Sequence, residues 1–259
     1  MNQVRQLQFA GIIPARYSSS RFPGKPLAMV GNRPMIQCVY EQASKSLENV
    51  FVATDDERIM ECVAKFGGMA VMTSTEHSSG TDRCSEAVSK IEAETKLQID
   101  VVVNIQGDEP YIKPEQIDLI VKCFEDSSVE IATLICKVDT HDDIINPNQI
   151  KTVISVKGDA LYFSRSAIPY LRDVKMEEWF LRHTFYKHLG LYGYKKDTLK
   201  RLTLLNRSSL EIAESLEQNR WLENGFRIRT ALTDWDSVGI DTPEDLERTK
   251  NLINDYPDI

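Results

Sequence analysis

No apolar run in this 259-residue sequence approaches the ~20 residues needed to span a bilayer. The one short apolar stretch near the N-terminus is Phe9-Ala10-Gly11-Ile12-Ile13-Pro14-Ala15. It is too short, and too soon followed by charge, for a signal peptide, and it reads as a buried first strand. Cysteine is sparse: Cys38, Cys62, Cys84, Cys123 and Cys136 are odd in number, widely spaced and without a C-x-x-C. That argues against a disulfide framework and a thiolate zinc site, and predicts small buried hydrophobes in a cytoplasmic protein. Positive charge is in deficit, with 31 Lys and Arg against 39 Asp and Glu and a formal net charge of −8. General binding to nucleic acid or to an anionic membrane is thereby excluded, but a local basic pocket for a small anion is not. There is no repeat, no low-complexity tract and no Gly/Ser-rich linker. What is present, 42% hydrophobic and 27% charged residues, is the balance of a soluble globular chain.

The hydrophobic pattern alternates between two periods. Apolar runs at 9–14, 50–54, 69–72, 101–105 and 131–138 read as strands. Between them, 34–46, 56–66, about 82–94 and a segment opened by Pro114 read as amphipathic helices. Near-continuous apolar strands separated by such helices predict a mostly parallel sheet covered on both faces. The second half is less regular, with strands expected at 152–156, 160–163, 189–194 and 226–232 and helices at about 208–224 and 243–254. One α/β domain over 1–259 is expected, carrying a mixed segment at about 140–205.

In a parallel sheet, ligands bind beyond the carboxyl ends of the strands. The first such end opens Pro14-Ala15-Arg16-Tyr17-Ser18-Ser19-Ser20-Arg21-Phe22-Pro23-Gly24-Lys25-Pro26-Leu27. This is neither a P-loop nor G-x-G-x-x-G. Arg16, Arg21 and Lys25 on one loop would repel each other unless an anion joined them, which suggests a polyphosphate; unrelated solvated cations are the alternative. The fourth strand ends in Gln106-Gly107-Asp108-Glu109-Pro110, where a carboxylate can help hold Mg²⁺ or can simply form a turn. Asp55 and Asp56 precede a helix and are expected to cap it. Near the C-terminus Thr242 suits an N-cap, Pro243 the first helical position and Asp245 the capping box. Asp241 is left over, as a second metal ligand or a solvated residue. In the helix expected at 208–224, Glu217 shares a stripe with Leu210, Ala213 and Trp221, while Ile212 and Leu216 mark another apolar face. A carboxylate there needs a partner, either a structural Arg or ligand hydroxyls. His183 and His188 lie five apart, which is not metal-ligand spacing on one helical face, so structural histidines are expected.

Eight stretches in order resemble the CMP-sugar-acid synthetases. They are Ile12-Ile13-Pro14-Ala15-Arg16 through Pro23-Gly24-Lys25-Pro26-Leu27, Val52-Ala53-Thr54-Asp55, Ser79-Gly80-Thr81-Asp82-Arg83 and Asn104-Ile105-Gln106-Gly107-Asp108-Glu109-Pro110. Then come Ala160-Leu161-Tyr162-Phe163-Ser164-Arg165, His188-Leu189-Gly190-Leu191-Tyr192-Gly193-Tyr194, Leu216-Glu217-Gln218 and Asp241-Thr242-Pro243-Glu244-Asp245-Leu246. Together they are most similar to the 3-deoxy-manno-octulosonate (Kdo) cytidylyltransferase, or CMP-Kdo synthetase, family. The unbroken P-G-K-P-L and Q-G-D-E-P favour it over the sialic acid cytidylyltransferases. A metal-dependent glycosyltransferase usually needs a D-x-D after a strand, and Gly107-Asp108-Glu109 does not supply one.

The resemblance implies a Rossmann-like nucleotidyltransferase with a mostly parallel sheet and a smaller mixed dimerisation subdomain, acting as a cytoplasmic homodimer. It implies transfer of CMP from CTP to Kdo with release of pyrophosphate, for lipopolysaccharide biosynthesis. It implies Arg16, Arg21 and Lys25 on the triphosphate, Asp108 and Asp241 on Mg²⁺, and Gly80, Thr81 and Arg83 at the cytosine. Gln106, Ser164, Arg165, His188, Tyr192, Glu217 and Gln218 are implied at the sugar acid. No dedicated general base is evident. The segment at about 172–186, with Trp179, matches no family motif.

Overall fold

Strands without a polar face lie at the centre of the protein's mixed α/β fold, as the computed structural model shows for residues 6–138, 140–236 and 238–249. The chain opens with β1 (Phe9–Ala15), the hairpin β2 (Met29–Val30) and β3 (Arg33–Pro34), and α1 (Met35–Ala43). Then follow β4 (Val50–Thr54), α2 (Glu57–Lys65), β5 (Ala70–Met72), α3 (Gly80–Thr95), β6 (Val101–Asn104) and α4 (Pro114–Cys123). The middle of the chain forms β7 (Ile131–Lys137), α5 (His141–Ile145), β8 (Lys151–Ile154), β9 (Ala160–Ser164), α6 (Trp179–Arg182) and β10 (Tyr186–Lys195). It closes with α7 (Lys196–Thr203), α8 (Ser209–Glu214), α9 (Glu217–Glu223), β11 (Arg229–Leu232) and α10 (Pro243–Thr249). Of the helix expected at 243–254, the part beyond Thr249 lies outside the described residues.

Contacts divide the chain into two units. The first holds the residues up to Asp118, Gly193–Thr203 and the stretch after Asp236. Its strands run parallel in the order β6-β1-β4-β5. Every residue of β4 and of β6 is buried, as a sheet covered on both faces requires. Each fully buried Val or Ile there contributes roughly 1.5–3 kcal/mol. Side chains cap α2, as its sequence predicts, and α3, for which no cap was expected. Asp56 accepts from the Arg58 N–H (2.9 Å) at α2, and Ser79 accepts from the Asp82 N–H (3.1 Å) at α3. The register sets Ala15 beside Thr54 and Ile12 beside Asn104. The loops after β1, β4 and β6 therefore leave from one edge.

The second unit holds Leu119–Tyr192 and Leu204–Asp236. It contains most of the mixed segment expected at 140–205, but Gly193–Thr203 falls in the first unit. Its strands run in the order β11-β7-β10, with β11 parallel to β7, and β8 pairs antiparallel with both β10 and β9. The 172–186 segment is anchored by Trp179, which is 2% exposed and packs with Val138, Ile144 and Phe185. The Trp179 indole N–H donates to the Val174 carbonyl at 3.0 Å.

The helix expected at 208–224 is two helices. Ser215 adopts φ 51°, a left-handed conformation that ends α8, and α9 begins two residues later. The expected stripe is broken with it: Leu210 and Ile212 are exposed, while Leu216 and Trp221 are buried. No cysteine forms a disulfide among the described residues; Cys38, Cys84 and Cys136 are buried, and Cys62 and Cys123 are partly so.

Candidate active site

The loop after β1 folds back on itself because Gly24 takes φ +70° and its N–H donates to the Tyr17 carbonyl at 2.9 Å. Tyr17 is in turn covered by the Arg58 guanidinium, 3.2 Å from the ring centroid. Phe22 ties the loop into a cluster of Val30, Met35, Cys38, Tyr111 and Ile240. Three cations are thus mounted on a braced loop. A second glycine brings the end of β6 against it: a Cβ on Gly107 would lie 2.8 Å from the Pro14 carbonyl oxygen, so only glycine permits this approach.

The two predicted carboxylates meet here although 133 positions of sequence separate Asp108 from Asp241. The Ile240 N–H donates to the Asp108 carbonyl at 2.9 Å, which joins the segment before α10 to the β6 loop. Thr242 and Asp245 form the expected reciprocal cap, Thr242 Oγ1 accepting from the Asp245 N–H (3.2 Å) and Asp245 Oδ2 from the Thr242 N–H (3.0 Å). Asp245 Oδ2 also accepts from the Asp241 N–H at 3.1 Å, so the cap fixes the Asp241 backbone and leaves its carboxylate to the site. Lys25 Nζ stands between the two acids, 2.6 Å from Asp108 Oδ2 and 3.1 Å from Asp241 Oδ1. Arg21 Nη2 reaches the same Asp241 oxygen at 3.1 Å. The anions that join two of the loop's cations are therefore the chain's own carboxylates.

These residues line a cavity of about 530 Å³ together with Arg16, Ser18, Ser19, Ser20 and Gln106. Its charged lining is three cations against two carboxylates, a positive excess inside an acidic protein. Gln106 belongs to this lining, with the phosphate-loop residues. Gly80, Thr81 and Arg83 do not line it. Arg83, 1% exposed, donates from Nη1 to Thr73 Oγ1 at 2.5 Å and from Nη2 to Asp55 Oδ2 at 2.7 Å. Asp55 is thus the partner of a buried arginine, and only Asp56 of that pair caps a helix.

In the second unit, Ser164 and Arg165 converge on Glu214, a residue that carried no signal in the sequence. Glu214 Oε1 accepts from the Ser164 hydroxyl (2.6 Å) and the Tyr162 hydroxyl (3.2 Å), and Oε2 accepts from the Arg165 N–H (2.9 Å). Arg165 donates Nε to the Glu214 carbonyl (2.7 Å) and Nη1 to the Pro147 carbonyl (3.1 Å). His188 Nε2 lies 2.9 Å from Thr133 Oγ1. That hydroxyl is also within hydrogen-bond reach of the Leu191 carbonyl (2.9 Å) and the Leu189 carbonyl (3.2 Å). Burial pushes the imidazole pKa down to about 3. Tyr192 packs against His188 and Trp221, and burial raises its phenol pKa. Gln218 is buried. Glu217, in the first turn of α9, pairs with Arg220 Nη2 at 2.6 Å; of the two partners open to it, the structure supplies the arginine. His183 is exposed, with its ring edge-on to Phe185.

Comparison with known proteins places this geometry. Residues 10–228 match the cytidylyltransferase family. A 3-deoxy-manno-octulosonate cytidylyltransferase of Parabacteroides distasonis is 55% identical over 246 residues, 93% of this chain and 96% of its own length. One from Bacteroides thetaiotaomicron is 52% identical over 251 residues, 95% of this chain and 98% of its own. The chain belongs to the 3-deoxy-manno-octulosonate cytidylyltransferase family. A solved CMP:2-keto-3-deoxy-manno-octonic acid synthetase, complexed with CTP, superposes with a TM-score of 0.87 at 39% identity, covering 96% of this chain and 99% of that one. In cytidylyltransferase terms, the residues expected at the triphosphate and at the metal share the cavity of the first unit. Those expected at the sugar acid, Gln106 apart, lie in the second unit around β9, β10 and α9.

Proposed function

We propose that the protein activates Kdo: CTP and 3-deoxy-manno-octulosonate give CMP-Kdo and pyrophosphate. The observation that carries this is the convergence of Arg16, Arg21, Lys25, Asp108 and Asp241 on one cavity in a chain of this family. Arg16, Arg21 and Lys25 attract the triphosphate and stabilise the charge that builds on departing pyrophosphate. Lys25 exchanges its carboxylate partners for phosphate oxygens when the nucleotide enters.

Mg²⁺ is the metal we expect at Asp108 and Asp241. Their oxygens are close enough for one ammonium to bridge them, and two carboxylates with phosphate and water form the hard-oxygen set that Mg²⁺ prefers. When bound, such a metal supplies charge neutralisation at the α-phosphate and lowers the pKa of a bound hydroxyl. Arg165 offers its guanidinium to the sugar carboxylate, and His188, held neutral by burial, adds a polar ring contact. Gly80, Thr81 and Arg83 stay assigned to the cytosine through the family motif, Arg83 acting as a brace through Thr73 and Asp55. Gln106, Tyr192, Glu217 and Gln218 stay with the sugar acid on the same ground.

Pyrophosphate release should be followed with CTP, Mg²⁺ and a panel of sugar acids that includes Kdo, its 8-amino analogue and sialic acid. Release with Kdo is expected. Turnover with sialic acid alone, or none with any acid, overturns the reading. A cytoplasmic homodimer completes the proposal. Exposed Leu161, Tyr170 and Leu181 in the second unit offer apolar surface for a partner copy, and sedimentation velocity tests it.

A further inference from the structure

The guanidinium of Arg165 is held by neutral groups. Nε and Nη1 donate to the Glu214 and Pro147 carbonyls, and Nη2 lies 3.5 Å from the Ser215 carbonyl. No carboxylate pairs with it among the described residues. Carbonyls fix a guanidinium in place without cancelling its charge, and one N–H on each Nη is left for a bidentate anion. The support behind Pro147 has the same character. Lys151, 0% exposed, donates Nζ to the Asn146 carbonyl (2.7 Å) and the Gln149 carbonyl (2.5 Å). Two cations thus grip one turn through its carbonyls.

A nearby carboxylate makes its hydrogen bonds to groups other than the guanidinium. Glu214 turns both oxygens to O–H and N–H donors, namely Ser164, Tyr162 and the Arg165 backbone. Burial alone would raise its pKa; the hydrogen bonds from Ser164, Arg165 and Tyr162, with the attraction of the Arg165 charge, outweigh this and hold the pKa below the usual carboxylate range. We propose that Glu214 is a positioning residue of the sugar-acid site, locking the Ser164 hydroxyl and the Arg165 backbone so that the arginine's free edge receives the substrate carboxylate. This rests on the reading above that Ser164 and Arg165 meet Kdo.

The test compares wild type with Glu214→Gln, Ser164→Ala, the double variant and Arg165→Lys. Each is measured for KM toward Kdo, KM toward CTP and melting temperature. In Glu214→Gln the introduced amide keeps one acceptor but turns an N–H₂ toward donors. The KM for Kdo should rise about tenfold or more, the scale of one charged hydrogen bond. The KM for CTP should stay within about twofold, and the double variant should be no worse than the worse single variant, because both break one link. An unchanged KM for Kdo in Glu214→Gln, while Arg165→Lys raises it, overturns the positioning role alone. So does an equal rise in both KM values with early melting, which marks a purely structural residue. An unchanged KM for Kdo in Arg165→Lys overturns the sugar-acid reading and this inference with it.

Discussion

Lys25 shows how one side chain organises a site before any ligand arrives. Its ammonium compensates Asp108 and Asp241, two acids that would otherwise repel each other at the mouth of the cavity. Replacing it with Met should raise the KM for CTP by roughly ten- to a hundredfold, the loss of one charged hydrogen bond, with little change for Kdo; initial rates with each substrate varied in turn check this. His188 gives a pH signature. Its imidazole is depressed to about 3 in the fold, against about 6.5 in the unfolded chain. Below pH 6.5 the unfolded state binds the extra proton, so stability is full above that pH and falls as pH drops toward 3. Burial alone would raise the Glu86 pKa, but hydrogen bonds from Lys90, Ser74 and His77 hold it down to about 2, so its loss adds only below about pH 4.5. Melting temperatures between pH 4.5 and 6.5 should therefore slope in the wild type and flatten in His188→Gln.

Two breaks in regular structure set the elements around the sites. Gly107 lets the β6 loop press against the end of β1. Gly107→Ala places a methyl 2.8 Å from a backbone oxygen that has nowhere to move. It should lower the melting temperature and cut turnover together, readable by calorimetry beside pyrophosphate release. Ser215 divides what reads as one helix, because its left-handed conformation stops α8 and lets α9 start afresh with Glu217 in its first turn. There the helix dipole favours a carboxylate, and Arg220, 8% exposed, takes Glu217 at 2.6 Å as a closer partner than Glu211 at 3.5 Å. Glu217→Gln should lower the melting temperature by a few degrees, since a charged hydrogen bond is worth roughly 1.5–3 kcal/mol. The periodicity at 208–224 concealed the break because Ser is an unmarked residue for a left-handed turn.

At the scale of the molecule, the residues proposed for CTP and Mg²⁺ lie in the first unit, and those proposed for Kdo, Gln106 apart, lie in the second. Asp108→Asn and Asp241→Asn, both in the first unit, should each remove most turnover while the melting temperature stays within a few degrees; near-normal rates at saturating Mg²⁺ in either variant would clear that residue. The sequence by itself determined the alternation of strand and helix from β4 to β7, because unbroken apolar runs such as Val50–Thr54 and Val101–Asn104 belong only in a sheet covered on both faces; it did not reveal the β2–β3 hairpin, α5, α6 or α7. It also pointed to the residues that line the cavity: Arg16 and Asp108 stand just beyond buried strands, Arg21 and Lys25 lie further along the first loop, and a parallel sheet puts strand ends together. Asp241 was legible as the acid its own helix cap did not use. Tertiary structure alone decided the partners. Lys25 between two distant acids, Arg83 on Asp55, Arg220 on Glu217, and Glu214 beneath Ser164 and Arg165 are contacts whose geometry depends on packing between elements or on a local break in a helix. Hydrophobic period records which face is buried; it does not record which charge the fold will bring opposite another.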